Sequence, residues 1–341
     1  MKPDRIGVLL VFAAACRSGS RAREPESHLL TTATGCMADQ ALSLPPQGTR
    51  INGFTIPAAH PRLWWNMDRL ESAKTWLASH PMKPIDEHPT PEELVNVALL
   101  HAVTGASCKP AIDWVMEYEI RDDAFAVASD EVRWHGELAI LVFDWCHDEL
   151  DAARRAVLID RWNGYLEKSM QGEWGGETMP SNNYFWGFLR NQLEWGIATH
   201  GENPAAKKFL TNAINTRWRD GFLAFASSKA GAGGVPQEGT QYGGYMLDYP
   251  IIPFDTISLL GRSLYDETEF FKGSVLWLLY ATTPAATTPA LGDASEFEVF
   301  PFNDDEKWNN HASAKTFINF MTSAAMTWRC KAYGGYSRTW L

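Results

Sequence analysis

The 341-residue chain has no basic run longer than Lys207-Lys208, and its formal net charge is -11. Non-specific nucleic-acid binding needs clustered Lys and Arg, so no nucleic-acid partner is expected. Its five cysteines form no CxxC pair and no zinc spacing with His, which argues against a structural metal. Nucleotide-binding loops and nucleophile elbows are also missing, and no fixed period marks a solenoid. No cofactor is expected. The one apolar run at the N-terminus, Ile6 to Ala15, is too short to span a bilayer.

That run follows Lys2 and Arg5 and ends in Ala13-Ala14-Ala15-Cys16. It resembles a bacterial lipoprotein signal over residues 1–16, with Cys16 as the lipidated residue; an ordinary secretory signal is the alternative. Either way the chain is expected to be exported, to the periplasm or the cell surface, touching the membrane only through the lipid. Residues 17–48 are polar and read as a disordered linker. Cys36, Cys108, Cys146 and Cys330 remain, and one disulfide is possible in an exported chain, with the pairing open.

Beyond the linker the apolar spacing is helical almost throughout. Asn66 reads as an N-cap, Pro81 as an exit and Pro91 as a first-turn residue. Leu138 to Trp145 is apolar almost all round, Asp144 excepted, which predicts burial on every side. Residues 152–169 and 183–199 read as amphipathic helices, and 206–218 as a regular one. Further helices are expected near 253–264, 267–280 and 312–328. Alternating buried and amphipathic helices predict an all-α fold, an (α/α) toroid of helical hairpins spanning residues 49–300, followed by a helical segment over 301–341. The fifteen tryptophans are read first as fillers of wide gaps between helices, and second as sugar-stacking platforms.

Three places carry chemistry. In "MPSNNYFWGFLRNQLEWG", Asn182, Asn183 and Tyr184 open a helix, and Asn183, Trp186 and Arg190 share one of its faces. The glycine-rich "GGVPQEGTQYGGYML" brings Glu238, Gln241, Tyr242 and Tyr245 within eight residues. "ALGDASEF" holds Asp293 after Gly292, and His135 stands at the head of a buried helix. An N-cap, packed aromatics and a structural turn are the plainer readings of these residues.

His60-Pro61-Arg62-Leu63, Phe143-Asp144-Trp145, Asn182-Asn183-Tyr184, Glu238-Gly239-Thr240-Gln241-Tyr242 and Gly292-Asp293 follow one another in an order that resembles the heparinase II/III-like polysaccharide lyases, relatives of alginate and oligoalginate lyases, over about residues 58 to 298. The resemblance implies an α/α toroid followed by β-sandwich domains, an anionic polysaccharide substrate and cleavage by β-elimination. The residues after 301 do not read as a full β domain, so the sandwich is expected to be missing or truncated. The proton removed lies alpha to a uronate carboxylate, so the enzyme must share that charge before a base can act. By the resemblance Asn183 neutralises the uronate and Tyr242 is the acid/base, with Tyr245 as the substitute. Glu238, Asn182, Gln241, Trp186 and Arg190 are expected to contact substrate or orient neighbours. Tyr184 stands where several relatives have His, which leaves His135 to supply an imidazole. A toroid glycoside hydrolase using carboxylates among Glu177, Glu238, Asp144 and Asp293 is one alternative. A non-catalytic glycan-binding lipoprotein is the other.

Overall fold

The structure is a computed structural model that describes residues 47–86, 89–120, 130–171, 179–284, 297–300, 302, 312–313 and 317–341. The signal, Cys16, Cys36, almost all of the linker, Glu177, Gly292 and Asp293 lie outside the described residues. The chain opens on a hairpin, β1 (Gly48–Ile51) and β2 (Phe54–Pro57), paired antiparallel. Helices follow: α1 (Met67–Ser79), α2 (Pro91–Thr104), α3 (Lys109–Glu117), α4 (Asp130–Trp145), α5 (Ala152–Gln171), α6 (Asn183–Ala198), α7 (Ala206–Thr211), α8 (Ala224–Ala226), α9 (Gly239–Asp248), α10 (Ile251–Leu259) and α11 (Phe270–Ala281). A two-residue pair, β3 (Glu298–Val299) with β4 (Ala312–Ser313), precedes α12 (Ile318–Thr327) and α13 (Ala332–Trp340). The fold is all-α in class, as the periodicity predicts. No described helix is long and apolar enough to cross a membrane.

Local chemistry sets the helix ends. Asn66 caps α1 by accepting the Arg69 N–H at 2.9 Å. Thr90 and Glu93 form a reciprocal capping box around Pro91 at the start of α2, and Gly105 ends it at φ 74°. Between α7 and α8 the chain winds as a π-helix over Asn212–Leu223. A regular α-helix is expected there, and the buried residues Phe209, Leu210, Ala213, Ile214, Arg217, Trp218 and Phe222 keep the α-helical spacing, so the burial pattern gives no reason for the i→i+5 bonding.

Helices α2, α4, α6, α10 and α12 form a succession in which each touches the next, while α3 packs against α2 and α4, and α5 against α4 and α6. Leu138 to Cys146 is buried at every position, as its all-round apolar pattern requires. Helix α6 departs from expectation. It is not amphipathic, because every residue but Tyr184 is buried. Among its neighbours are α4, α5, α7, α9 and α10, so no face is left for water. Helix α5 does keep a wet side, with Leu158, Trp162 and Leu166 turned inward. The C-terminal segment adds Phe320, Met321 and Trp328 to the same core.

Tryptophan fills the interior. Trp145, Trp162, Trp186, Trp195, Trp218 and Trp328 are fully buried. Trp218 meets Phe254 edge-on at 5.0 Å, and Trp186 meets Phe222 at 4.6 Å, geometries that favour aromatic pairs. A disulfide joins Cys108, at the start of α3, to Cys146, just past α4. It closes a 38-residue separation, worth about 3–4 kcal/mol of unfolded-chain entropy.

The segment between the hairpin and α1 is fastened by one buried carboxylate. Asp144 accepts the backbone N–H of Arg62 (3.1 and 2.9 Å) and of Leu63 (2.7 Å). It also bonds His60 Nδ1 at 2.6 Å. Arg62 in turn donates to the carbonyls of Ile197, Ala198 and His200 at the end of α6, a favourable place for a cation. Trp145 Nε1 donates to the Leu63 carbonyl at 3.1 Å. Asp144→Asn would turn an amide N–H toward backbone donors. It is expected to cost about 3 kcal/mol, read from the denaturant midpoint of the full chain.

A second buried carboxylate has a different balance. Asp255 accepts from Ser323 Oγ at 3.1 Å and lies 3.9 Å from Arg69. Burial outweighs both and raises its pKa from 3.8 to about 6. The folded chain therefore holds a proton between about pH 4 and 6 that the unfolded chain releases, and this group's contribution to stability falls as pH rises through that window. Asp255→Asn removes the penalty. Its stability relative to wild type is expected to climb by roughly 2 kcal/mol from pH 4 to pH 7, measured by denaturant unfolding at each pH.

Candidate functional site

The N-terminal end of α6 meets the start of α9, and the residues flagged in the sequence gather there. Asn182 is the N-cap of α6, its Oδ1 accepting the Tyr184 N–H at 2.8 Å. Glu238, at the N-cap position of α9, reaches across to the same helix end. It accepts from Asn182 Nδ2 at 2.9 Å, from the Asn183 backbone N–H at 2.6 Å and from Asn183 Nδ2 at 3.3 Å. A carboxylate facing the free N–H groups of a helix start is favoured by the helix dipole as well as by the bonds. The plainer reading of the Asn pair, a cap, holds for Asn182, and Glu238 extends that cap from another element.

The glycine-rich loop makes this crossing possible by close packing. Gly234 has φ 70°, and a Cβ there would lie 2.0 Å from the Phe270 carbonyl oxygen in α11. Ser274 Oγ donates to the Gly234 carbonyl at 2.6 Å. The loop is thus pressed onto α11, and Gly239, at φ 81°, turns the chain into α9.

A cation sits behind the asparagines. Arg133 of α4 donates from Nη1 to Asn183 Oδ1 at 2.5 Å and lies 3.4 Å from the Tyr249 hydroxyl. Its guanidinium stacks over the Tyr184 ring at 3.7 Å. From Tyr249 a row of phenols runs up α9: its ring is 5.2 Å from that of Tyr245, which is 6.2 Å from that of Tyr242. Tyr242, Tyr245 and Gln241 are half-buried. Neither Arg133 nor Tyr249 is marked out by the sequence pattern; the available signal for Arg133 is a cation in the first turn of α4, two positions before His135.

Other expected residues go elsewhere. Trp186 is fully buried among Phe222, Phe254 and Phe271, its Nε1 bonded to the Pro180 carbonyl at 2.9 Å. It is core, not a sugar platform, because α6 has no open side. Arg190 is likewise interior: it pairs with Glu137 at 2.8 Å, bonds the Arg133 carbonyl and lies 4.4 Å over the Tyr249 ring. It supports the site from below rather than touching substrate. One turn on, burial and the neighbouring Glu137 push the Glu194 carboxyl well above the usual range, which favours its neutral form. His135 bonds the Tyr118 hydroxyl at 2.8 Å, and that hydroxyl is 3.3 Å from Glu131. His135 therefore heads α4 beside α3, facing Tyr118 and Trp114. Asp144, an alternative catalytic carboxylate, is consumed by the segment it fastens.

The arrangement offers two amides, a carboxylate, a row of phenols and a buried guanidinium at one end of one helix. Such a set can share the charge of a carboxylate and move a proton. No protein-family model matches the chain, and no curated protein matches it either.

Glu238→Ala removes three acceptor contacts from the start of α6. The Asn183 amide is expected to exchange with solvent at least tenfold faster, a loss of about 1.4 kcal/mol or more of local protection. Hydrogen exchange with mass spectrometry reads this directly, with the α2 amides as the internal reference.

Proposed function

We propose that the chain is a polysaccharide lyase built on an (α/α) toroid, cleaving a uronic-acid-containing polysaccharide by β-elimination. The observation that carries this reading is the gathering of Asn182, Asn183 and Glu238 beside Arg133 and Tyr249, from which the phenols of Tyr245 and Tyr242 follow along α9. The toroid is supported by the succession α2, α4, α6, α10 and α12, with α3 and α5 packed against it. The lipoprotein-like start supports export, which would bring the chain to polymers outside the cell.

In this reading the amide of Asn183, with Arg133 behind it, draws charge from the uronate carboxylate and makes the alpha proton more acidic. Tyr242, as phenolate, takes that proton. The electron pair left behind forms the ring double bond, and the glycosidic oxygen departs with a proton returned by a phenol. A free Tyr has a pKa of about 10, so Tyr242 needs a cation or hydrogen-bond donors beside it to act as a base at neutral pH. Tyr245 is the substitute base, one turn along α9. Glu238 positions both asparagines.

The hydrolase reading is weaker, since Asp144 cannot leave its structural bonds. Binding without catalysis has one observation in its favour: Asn183 is only 3% exposed, with its amide already bonded to Glu238 and Arg133.

A panel of uronic-acid polysaccharides, followed by the ultraviolet absorbance of the new double bond, separates these readings. The lyase predicts a rise with one class of polymer. It also predicts a loss of about 10²–10⁴-fold in rate for Tyr242→Phe and a comparable loss for Asn183→Ala. New reducing ends without absorbance would mean hydrolysis. Retained polymer with neither signal, from a folded chain, would mean a binding protein.

A further inference from the structure

At the opposite end of α6 from the asparagines, three side chains far apart in sequence converge. His60 precedes α1, His147 follows α4 and Glu202 follows α6. The His60 and His147 rings stack face to face, 3.7 Å between centroids and 6° from parallel. Glu202 Oε1 lies 3.2 Å from His60 Nε2 and 2.9 Å from His147 Nε2. One ligand atom from each residue lies within 4.8 Å of the other two.

The hydrogen-bond arithmetic of this cluster is informative. His60 Nδ1 lies 2.6 Å from Asp144 Oδ1, so both ring nitrogens of His60 face carboxylate oxygens. A neutral imidazole has only one N–H. If that N–H serves Asp144, the Nε2 lone pair points at Glu202. The stacked geometry disfavours giving both rings a charge. A cation held by both Nε2 atoms and by Glu202 resolves the conflict at once.

The geometry fits. In a tetrahedral zinc site, with ligand atoms about 2.0–2.1 Å from the metal, neighbouring ligand atoms are about 3.3 Å apart. The observed separations of 3.2 and 2.9 Å are close to that edge. The outer partners are in place as well. Asp144 orients His60 through Nδ1, the carboxylate–histidine arrangement that fixes the tautomer of a metal-bound imidazole. Arg155 holds Glu202 Oε2 at 3.1 Å. His60 is well shielded, at 8% side-chain exposure, while His147 and Glu202 are open enough, at 20% and 29%, for an ion to enter. Glu202 also lines a groove of about 420 Å³ with Arg155, Ile159, Asp160 and Asn163.

We propose that His60, His147 and Glu202 form a binding site for one divalent transition-metal ion, zinc in the first instance. Two imidazoles and one carboxylate suit zinc and leave one coordination position for water or a ligand. The ion ties the segment before α1 to the ends of α4 and α6. The pattern has no signature in the sequence, because the three ligands are separated by 87 and 55 residues.

The test is calorimetric titration of the full chain with zinc chloride after treatment with a chelator, with cobalt(II) absorption as a spectroscopic check. One zinc per chain is expected. His147→Ala and Glu202→Gln should each weaken binding at least tenfold, while His80→Ala, outside the cluster, leaves it unchanged. Circular dichroism verifies that each variant is folded. Failure of the folded wild-type chain to bind zinc saturably would overturn the proposal and leave a proton between the carboxylates. Binding of undiminished strength in both cluster variants would also overturn it, by placing the ion elsewhere.

Discussion

The buried carboxylate of Asp144 is the constraint on which the rest of the architecture turns. A fully buried charge is tolerated only when its oxygens are satisfied. Two backbone N–H groups and one imidazole nitrogen do this, and all belong to the segment His60–Leu63. Once that segment is fastened to α4, its other residues have little freedom. Arg62 falls on the last carbonyls of α6, the Leu63 carbonyl accepts from Trp145, and the Trp64 N–H reaches Thr256 in α10. Three successive inner helices are thus clasped at one end by a segment with almost no secondary structure of its own.

Helix α6 is where the cost of this design is visible. An all-round buried helix is usually apolar, yet α6 carries Asn183, Arg190, Asn191, Gln192 and Glu194, all buried. Arg190 is matched by Glu137, and Asn191 by the Val132 carbonyl and Arg190. Burial and the neighbouring Glu137 push the Glu194 carboxyl well above the usual range, which favours its neutral form. A polar helix at the centre of a fold gives up stability relative to an apolar one. What it gains here is a rigid bed of bonds beneath Asn183 and Arg133, from which a reacting group could be held in one orientation.

The overall class was legible from periodicity, because α-helices advertise themselves by spacing and caps. Asn66, Thr90 with Glu93, and the apolar run of α4 all behave as local rules demand. The nature of α6 was not legible. Its alternation of polar and apolar residues is that of a surface helix, and only partners distant in sequence (Arg133, Glu137, Glu238) convert its polar residues into buried ones. The same limit applies to the candidate site. Asn182, Asn183 and Glu238 could be named from their local sequence and the resemblance it carries, whereas Arg133 and Tyr249 enter only because α4 and α9 both pack on α6. The stacked histidines were further out of reach: His60 stood inside a motif read for its order along the chain, and nothing local links it to His147 or Glu202.

The two polar clusters lie at opposite ends of one straight helix, and its length decides how they can be related. From Asn183 to Ala198, α6 rises about 22 Å, too far for a cation near Glu202 to touch a sugar held at Asn183. A metal at the far end would therefore act on the phenols only through the packing of the inner helices. That packing is tight, with Phe185, Leu189, Leu193 and Ile197 fully enclosed between the two sites, and energetic coupling over such a distance needs an element with two discrete arrangements that both sites bias. On the proposed function, the division of labour is then a clasp at one end, where Asp144 and the histidines fix the frame, and the proposed chemistry at the other, where Glu238 and Arg133 hold the asparagines in place.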